Sequence, residues 1–277
     1  MRSVGLPSNG CSVSHKGDAQ LLEIFLAPIR KCLEFRPAFG TRSEDGVSLR
    51  EFQDLYGQDP FYSWLGLDDA AVYAAHKASG AITSVYRQIG VGSERLLRQV
   101  ISTEFSLDGD QLDWSYEYER PRGKPGVHHL DARISLSDLR PSDQDRLRDW
   151  LGGVPAYLTG LESQTSEFRG VVMEIRQGYK SADAKRQNAD LRFGMRAYQA
   201  SLLPVILIMS TQVSEAVINR YRSDGMLVLV GTSLGNAYES TYSFVDSVID
   251  FDLKDFFARN ASALLEVRKI MREILKP

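Results

Sequence analysis

Residues 170–210 read GVVMEIRQGYKSADAKRQNADLRFGMRAYQASLLPVILIMS and contain three successive patterns. The first is an apolar run in which alternation places Val172, Glu174 and Arg176 on one face of a strand. A helical pattern follows over about 183–199. Residues 202–209 are then uninterruptedly apolar, which is typical of a strand covered on both faces of a parallel sheet. The stretch predicts a strand–helix–strand unit in which the helix forms the crossover.

Positive charge is concentrated in this unit. Between residues 169 and 196 there are seven Lys and Arg residues against three Asp and Glu, a charge of +4 in a chain of net charge −3. On the helix, Lys185, Arg192 and Arg196 share one face. The face predicted to pack comprises Ala184, Leu191, Met195, Tyr198 and Leu202. A basic patch of this kind predicts an anionic partner even when the whole chain is acidic.

The polar segment at the start of the helix contains side chains that can form hydrogen bonds with DNA bases. Gln187 and Asn188 can pair bidentately with adenine, and Arg186 can pair with guanine. The predicted DNA contacts are therefore Lys180, Lys185, Arg186, Gln187, Asn188, Arg192 and Arg196. The alternative is a solvated polar loop with a capped helix start. The sequence alone leaves both interpretations open.

The 277 residues have the composition of a globular protein, with 43% hydrophobic and 25% charged side chains. There is no apolar run of about 18 residues and no signal-peptide core near the N-terminus, so we expect a cytoplasmic protein without a membrane span. The two cysteines and four histidines lack the spacing of a zinc site. We expect a loose tail at 1–17 and one domain at 18–277, mainly helical at 18–105 and α/β at 106–277 with a terminal helix.

The N-terminal region is predicted to be helical with several interruptions. A helix begins near Asp18 and is broken or restarted at Pro28. The helical stretch that follows residue 68 ends or bends at Gly80. The stretch after it is interrupted or loosened at Gly90 and Gly92.

The middle of the chain predicts antiparallel strands. Residues 111–119 and 127–136 alternate in polarity on either side of a turn, which indicates a hairpin with one polar face. Residues 154–162 predict a further strand ending at Glu162. The fold class that follows is α/β or α+β, a mixed sheet built on the strand–helix–strand unit and flanked by helices.

A strand that carries acid-x-cation on one face, with an acid on a neighbouring strand and helix–strand after it, resembles the PD-(D/E)xK nuclease family. The resemblance covers about 111–231 and implies a restriction-endonuclease-like core that holds Mg²⁺ through carboxylates. Glu174 matches the second acid. The first acid is Asp131, ranked ahead, or Glu162. Glu94 resembles the additional acid that many members carry on a helix before the sheet.

The cation of the motif departs from the family pattern, in which this position is usually Lys. Arg176 stays protonated at any working pH, so it cannot act as a general base, although it can bind phosphate or stabilise the transition state. Lys180, four residues later, is the candidate replacement for the lysine, and Lys185 is a weaker one.

The resemblance implies a Mg²⁺-dependent endonuclease that cleaves double-stranded DNA, similar to type II restriction enzymes and acting as a homodimer. One alternative is a repair or recombination nuclease of the same superfamily. Another is a non-catalytic phosphate-binding α/β module in which Glu174 only orders Arg176 and Lys180. His128 and His129 are interpreted as strand residues, because no second histidine follows at the helical spacing of a metal-binding histidine nuclease.

Overall fold

A computed structural model describes residues 17–41, 45–119, 123–158, 168–179 and 184–276, with backbone only at 184–187. The strands in these residues are β1 Trp114–Glu119, β2 Pro125–Leu130, β3 Ala132–Ser135, β4 Gly170–Arg176, β5 Leu203–Ile208 and β6 Leu227–Leu229. The α-helices are α1 Asp18–Arg30, α2 Leu49–Gly57, α3 Pro60–Trp64, α4 Ala70–Phe105, α5 Gly109–Leu112, α6 Pro141–Gly153, α7 Ala184–Gln199, α8 Glu215–Ser223, α9 Thr241–Phe244, α10 Leu253–Arg259 and α11 Ala261–Ile274. A π-helical turn covers Val245–Ile249.

The strands form two sheets. The larger one has the order β3-β4-β5-β6, in which β3 runs antiparallel to β4 and the other neighbours are parallel. The smaller one is the antiparallel pair β1-β2. Helix α7 connects β4 to β5 and packs on β5. The predicted strand–helix–strand unit and the mixed α/β class are confirmed.

Alternate side chains of β4 enter different hydrophobic clusters. Val171 and Met173 belong to the cluster that contains residues of α1, α4 and α6. Val172 belongs to the cluster that contains residues of α7 and α8. Glu174 and Arg176 follow Val172 at intervals of two, so they lie on the α7 side of the sheet, as the alternation predicts.

Helix α4 corrects the predicted interruption at the glycines. It runs for 36 residues without a break through Gly80, Gly90 and Gly92. Packing explains two of these glycines, because a Cβ at Gly92 would overlap the carbonyl oxygen of Phe25 in α1, and one at Gly80 would lie 2.9 Å from the Phe35 ring. These glycines permit close approach of neighbouring chain segments and do not end the helix.

The predicted break at Pro28 is also wrong. Helix α1 continues through Pro28 to Arg30 and is followed directly by a 3₁₀ turn at Lys31–Glu34. Pro28 itself is buried. The helix ends two residues after the proline, which itself supplies no N–H to the helix.

The predicted hairpin strand at 127–136 is in fact two strands. β2 pairs with β1, whereas β3 pairs with β4 of the larger sheet, and Asp131 occupies the bend between them. A further correction concerns 154–162, where Val154–Tyr157 form a 3₁₀ turn and no strand. Glu162 and the predicted tail at 1–16 lie outside the described residues. No helix in the described part of the chain is long and apolar enough to cross a bilayer.

Candidate functional site

Asp131 is held against β4 by two hydrogen bonds to the backbone of that strand. Its N–H donates to the Met173 carbonyl oxygen at 3.1 Å, and its Oδ2 accepts from the Ile175 N–H at 2.6 Å. β3 pairs Ala132 with Met173, and Asp131 lies in the bend just before that paired residue. The Asp131 carboxylate thus lies beside the part of β4 that carries Glu174, the second predicted metal ligand.

This carboxylate pair lies in an unfavourable electrostatic environment. Burial first, and then the negative charges of Glu174 and Glu94, raise the pKa of Asp131 to about 8, against the Ile175 N–H and the charge of Arg176, which lower it. Burial and like charge both disfavour the ionised form of a carboxyl group. A divalent cation between these oxygens would relieve the repulsion. The donor set therefore suits a hard metal ion.

Glu94 contributes from the middle of α4. Burial is the main cause that raises the pKa of Glu94, and the charges of Arg95 and Arg98 oppose it. Arg98, one turn further along the helix, donates to the carbonyl oxygen of Asp131 at 2.8 Å. The predicted acid of the N-terminal helix therefore faces the strand bend that carries Asp131.

The described residues contain no group of three or more His, Cys, Asp or Glu side chains placed to hold one metal ion. Asp131 and Glu174 are the protein donors that the geometry offers, and the charge of Glu94 acts on Asp131. Mg²⁺ is commonly bound by one or two carboxylates, with water and substrate phosphates completing its octahedron. The two-carboxylate arrangement is compatible with that mode of binding.

Arg176 is enclosed between two carboxylates. Its side chain is 10% exposed, and its Nη2 lies 3.2 Å from Glu174 Oε1 and 2.6 Å from Asp190 Oδ1. Burial would lower the pKa of the guanidinium, but Glu174 and Asp190 outweigh it and the net shift is upward. Within the described residues, its Nε is buried without a hydrogen-bond partner. Arg176 therefore connects Glu174, a candidate metal ligand, to the buried carboxylate of Asp190.

Asp190 is the buried partner that the sequence interpretation missed. Its side chain is 2% exposed, and its Oδ2 accepts from the Tyr221 hydroxyl at 2.6 Å and from the Tyr179 hydroxyl at 3.3 Å. The two hydroxyls are also hydrogen-bonded to each other at 2.7 Å. A buried hydrogen-bond network of this kind fixes side-chain positions.

The spacing on α7 carries a signal for this role. Asp190, Phe193 and Ala197 follow one another at i, i+3 and i+7 and are all buried, which is the pattern of a packed helix face. The predicted apolar face is wrong at Met195, whose side chain is 61% exposed. Asp190 is therefore a buried acid on a helix that otherwise carries basic residues.

His128 also reaches the site, which its interpretation as an ordinary strand residue did not foresee. Its Nε2 lies 3.9 Å from Glu174 Oε2, and its Nδ1 is 2.8 Å from the Tyr116 hydroxyl. Burial lowers the pKa of His128, and the charges of Arg176 and Arg192 lower it too, against the opposing effect of Asp190. The imidazole thus connects the carboxylates of the sheet to the β1-β2 hairpin.

A groove of about 1040 Å³ lies between this hairpin and α7. Three of the predicted DNA contacts, Asn188, Arg192 and Arg196, line it. Asn188 Oδ1 accepts a hydrogen bond from Arg220 at 3.3 Å. The remaining predicted contacts lie outside the described side chains, namely Lys180, Lys185, Arg186 and Gln187.

Comparison with known proteins identifies no relative, because no family model, curated protein or solved structure matches this chain. The resemblance to PD-(D/E)xK nucleases therefore depends on the residues and their geometry alone.

Proposed function

We propose that this chain is a Mg²⁺-dependent endonuclease that hydrolyses phosphodiester bonds in double-stranded DNA. The observation that carries the proposal is that the Asp131 carboxylate is bonded to the Ile175 N–H, next to Glu174 on β4, near a groove lined by Arg192 and Arg196. Paired carboxylates next to exposed cations suit a metal ion that acts on a phosphate.

Asp131 and Glu174 are the residues that would hold the metal. When bound, Mg²⁺ lowers the pKa of a coordinated water and neutralises charge on the scissile phosphate. The raised pKa of Asp131 supports this assignment, because a carboxyl group kept close to a second carboxylate gains from a nearby cation. Without a cation the pair retains a proton near neutral pH.

The other side chains have distinct tasks in this proposal. Arg176 holds Glu174 in place from the interior, since its Nη2 contacts both Glu174 and Asp190. It is a positioning residue, because the carboxylates already engage its charge. Arg192 and Arg196 bind phosphates of the DNA backbone from the groove. Lys180 stays the candidate replacement for the lysine of the family motif.

We infer that the enzyme works as a two-fold homodimer. Cutting both strands of a symmetric site requires two active sites related by a two-fold axis, and this chain offers one such site. A repair or recombination nuclease of the same superfamily would use the same carboxylates, but it would degrade DNA progressively.

A non-catalytic module is the second candidate, and the ion pair between Glu174 and Arg176 favours it. In that case Glu174 orders Arg176, and the groove binds a phosphate without hydrolysis. The raised pKa of Asp131 has no role in this alternative, since a binding module gains nothing from two adjacent buried carboxylates.

Incubating supercoiled plasmid with the protein in Mg²⁺ and in EDTA separates the three possibilities. Discrete fragments that require Mg²⁺ support the restriction-type endonuclease, whereas progressive degradation supports the repair or recombination nuclease. DNA that is bound but intact in Mg²⁺ supports the binding module.

A further inference from the structure

The groove between the β1-β2 hairpin and α7 runs from a closed end at Trp114 to an end lined by Tyr118. Three cross-strand pairs define the hairpin face toward α7, namely Trp114–Leu130, Tyr116–His128 and Tyr118–Gly126. At the first pair the groove is closed, because the Trp114 ring lies 6.4 Å from the ring of Phe193. At the other end the groove is lined by Tyr118 and Glu119 of β1, and Gly126, the partner of Tyr118 in the pair, is buried.

The α7 wall combines positive charge with apolar surface. Arg192, Met195 and Arg196 are accessible on successive turns and all line the groove. Arg196 donates to Gln199, and Arg192 makes no ion pair with a carboxylate in the described part of the chain. Glu119 is an acidic residue on the opposite wall, so the two arginines leave the groove net positive.

Aromatic rings opposite guanidinium groups are the combination that binds unpaired nucleic acid. Exposed base faces stack on aromatic side chains, while cations follow the phosphates. In a duplex those faces are already stacked on one another, and only base edges and backbone are accessible.

We propose that this groove binds an unpaired nucleotide segment of the DNA substrate, with its bases against Tyr118 and Met195 and its phosphates at Arg192 and Arg196. The proposal rests on the nuclease function for its biological meaning. His128 joins the two sites, because it lines the groove and lies 3.9 Å from Glu174. A strand seated in the groove would therefore reach the carboxylate pair.

The test is DNA binding in EDTA, followed by fluorescence anisotropy, with a labelled blunt duplex, the same duplex bearing a single-stranded tail, and the single strand. We expect the wild type to prefer the tailed and single-stranded probes. Tyr118→Ala should weaken binding of these probes roughly tenfold, because it removes the stacking ring, with little effect on the blunt duplex. Tyr118→Phe should retain the preference, since it keeps the ring.

Two further variants keep the test independent of folding defects. Met195→Glu changes an exposed side chain, so the fold should tolerate it, and it should weaken binding of the unpaired probes by setting a carboxylate between the arginines. Glu117→Ala is the control, since Glu117 is exposed on the same strand and is not among the residues that line the groove.

Equal affinity of the wild type for blunt and tailed probes would overturn the groove proposal, as would an unchanged preference in both Tyr118→Ala and Met195→Glu. A protein that prefers unpaired DNA but never cleaves it supports the groove and removes the nuclease function. A protein that cleaves DNA without this preference keeps the nuclease and rules out the groove proposal.

Discussion

Asp131 lies beside Glu174 at the bend before β3, because its Oδ2 accepts a hydrogen bond from the N–H of Ile175, the residue that follows Glu174. The bend between β2 and β3 creates this relationship, because it moves the chain from the hairpin into the larger sheet at the position of the acid. Two carboxylates are thereby kept close together in a largely buried place.

The first prediction concerns pH and Asp131. Its pKa is about 8 in the folded protein against 3.8 for the ordinary group, so between roughly pH 4 and pH 8 the folded state holds a proton that the unfolded state has released. Its contribution to the free energy of unfolding therefore falls as pH rises through this window, by up to about 1.4 kcal/mol per pH unit. Asp131→Asn, which keeps an acceptor for the Ile175 N–H, should be less sensitive to pH and more stable than wild type at pH 8. Denaturant titrations in EDTA across this range test the prediction, and identical pH profiles for the two proteins would contradict it.

The second prediction concerns the metal. Mn²⁺ or Mg²⁺ at ten times its dissociation constant should stabilise the wild type at pH 8 by about 1.4 kcal/mol. The melting temperature of a chain of this size rises by roughly 2–4 °C for each kcal/mol of added stability. The shift should vanish in Asp131→Asn and Glu174→Gln, since each removes one of two carboxylate donors. Thermal melts with metal and with EDTA measure it. Glu117→Gln, on the exposed face of the hairpin, is the matched control and should respond like wild type.

The third prediction concerns the interior partner of Arg176. Asp190→Ala should lower the free energy of unfolding by about 3–5 kcal/mol, because it leaves a buried guanidinium with one partner fewer. Asp145→Ala is the control, since it breaks a surface ion pair with Arg148 and should change stability by less than about 1 kcal/mol. Chemical denaturation of both variants settles the comparison. Equal effects would show that the Asp190 network does not stabilise the fold.

The fourth prediction uses two glycines of α4. Gly90→Ala should stabilise the protein by up to about 1 kcal/mol, since the nearest atom to the new methyl lies 3.9 Å away and Ala favours helix. Gly92→Ala should destabilise it by about 1–3 kcal/mol, because its methyl overlaps the backbone of Phe25 in α1. Melting both variants side by side tests the close approach of α1 to α4. Stabilisation by both changes would rule that approach out.

The fifth prediction concerns the phosphates bound in the groove. Replacing Arg192 and Arg196 by Ala should flatten the slope of log K against log salt by about 0.9 for each phosphate that is no longer neutralised, with similar weakening on cognate and random duplexes. Arg148→Ala serves as the control, because it removes one positive charge from an exposed site on α6. Binding is measured at several salt concentrations. An unchanged slope in the double variant would remove both arginines from the DNA interface.

Sequence periodicity was sufficient to predict those elements that are determined by their own chain segment. β4, α7 and β5 follow from periodicities within the chain segments themselves, and so does the face shared by Glu174 and Arg176. The break at Asp131 could not be predicted in this way, because β2 and β3 continue one alternating pattern and differ only in their pairing partners. Similarly, the continuity of α4 depends on contacts with α1, which outweigh the low helix propensity of glycine.

The sequence pointed to the two carboxylates of the candidate site, but it did not reveal the groups that surround them. Asp131 and Glu174 stood out because each is an acid in a strand-like segment. Asp190, Tyr179 and Tyr221 form their network through separations of 11 to 42 residues, and no short motif encodes such contacts. His128 reaches Glu174 through the packing of the hairpin on the sheet, which is equally non-local.

The most direct test of the central proposal is single-turnover cleavage of supercoiled plasmid in Mg²⁺ by the wild type, by Asp131→Asn and by Glu117→Gln, with circular dichroism to verify folding. We predict cleavage by the wild type and the Glu117→Gln control, and a loss on the order of 10²-fold or more in Asp131→Asn, with DNA binding retained. Wild-type rates in a folded Asp131→Asn protein, or no cleavage by the wild type, would contradict the proposal that these carboxylates form a nuclease site.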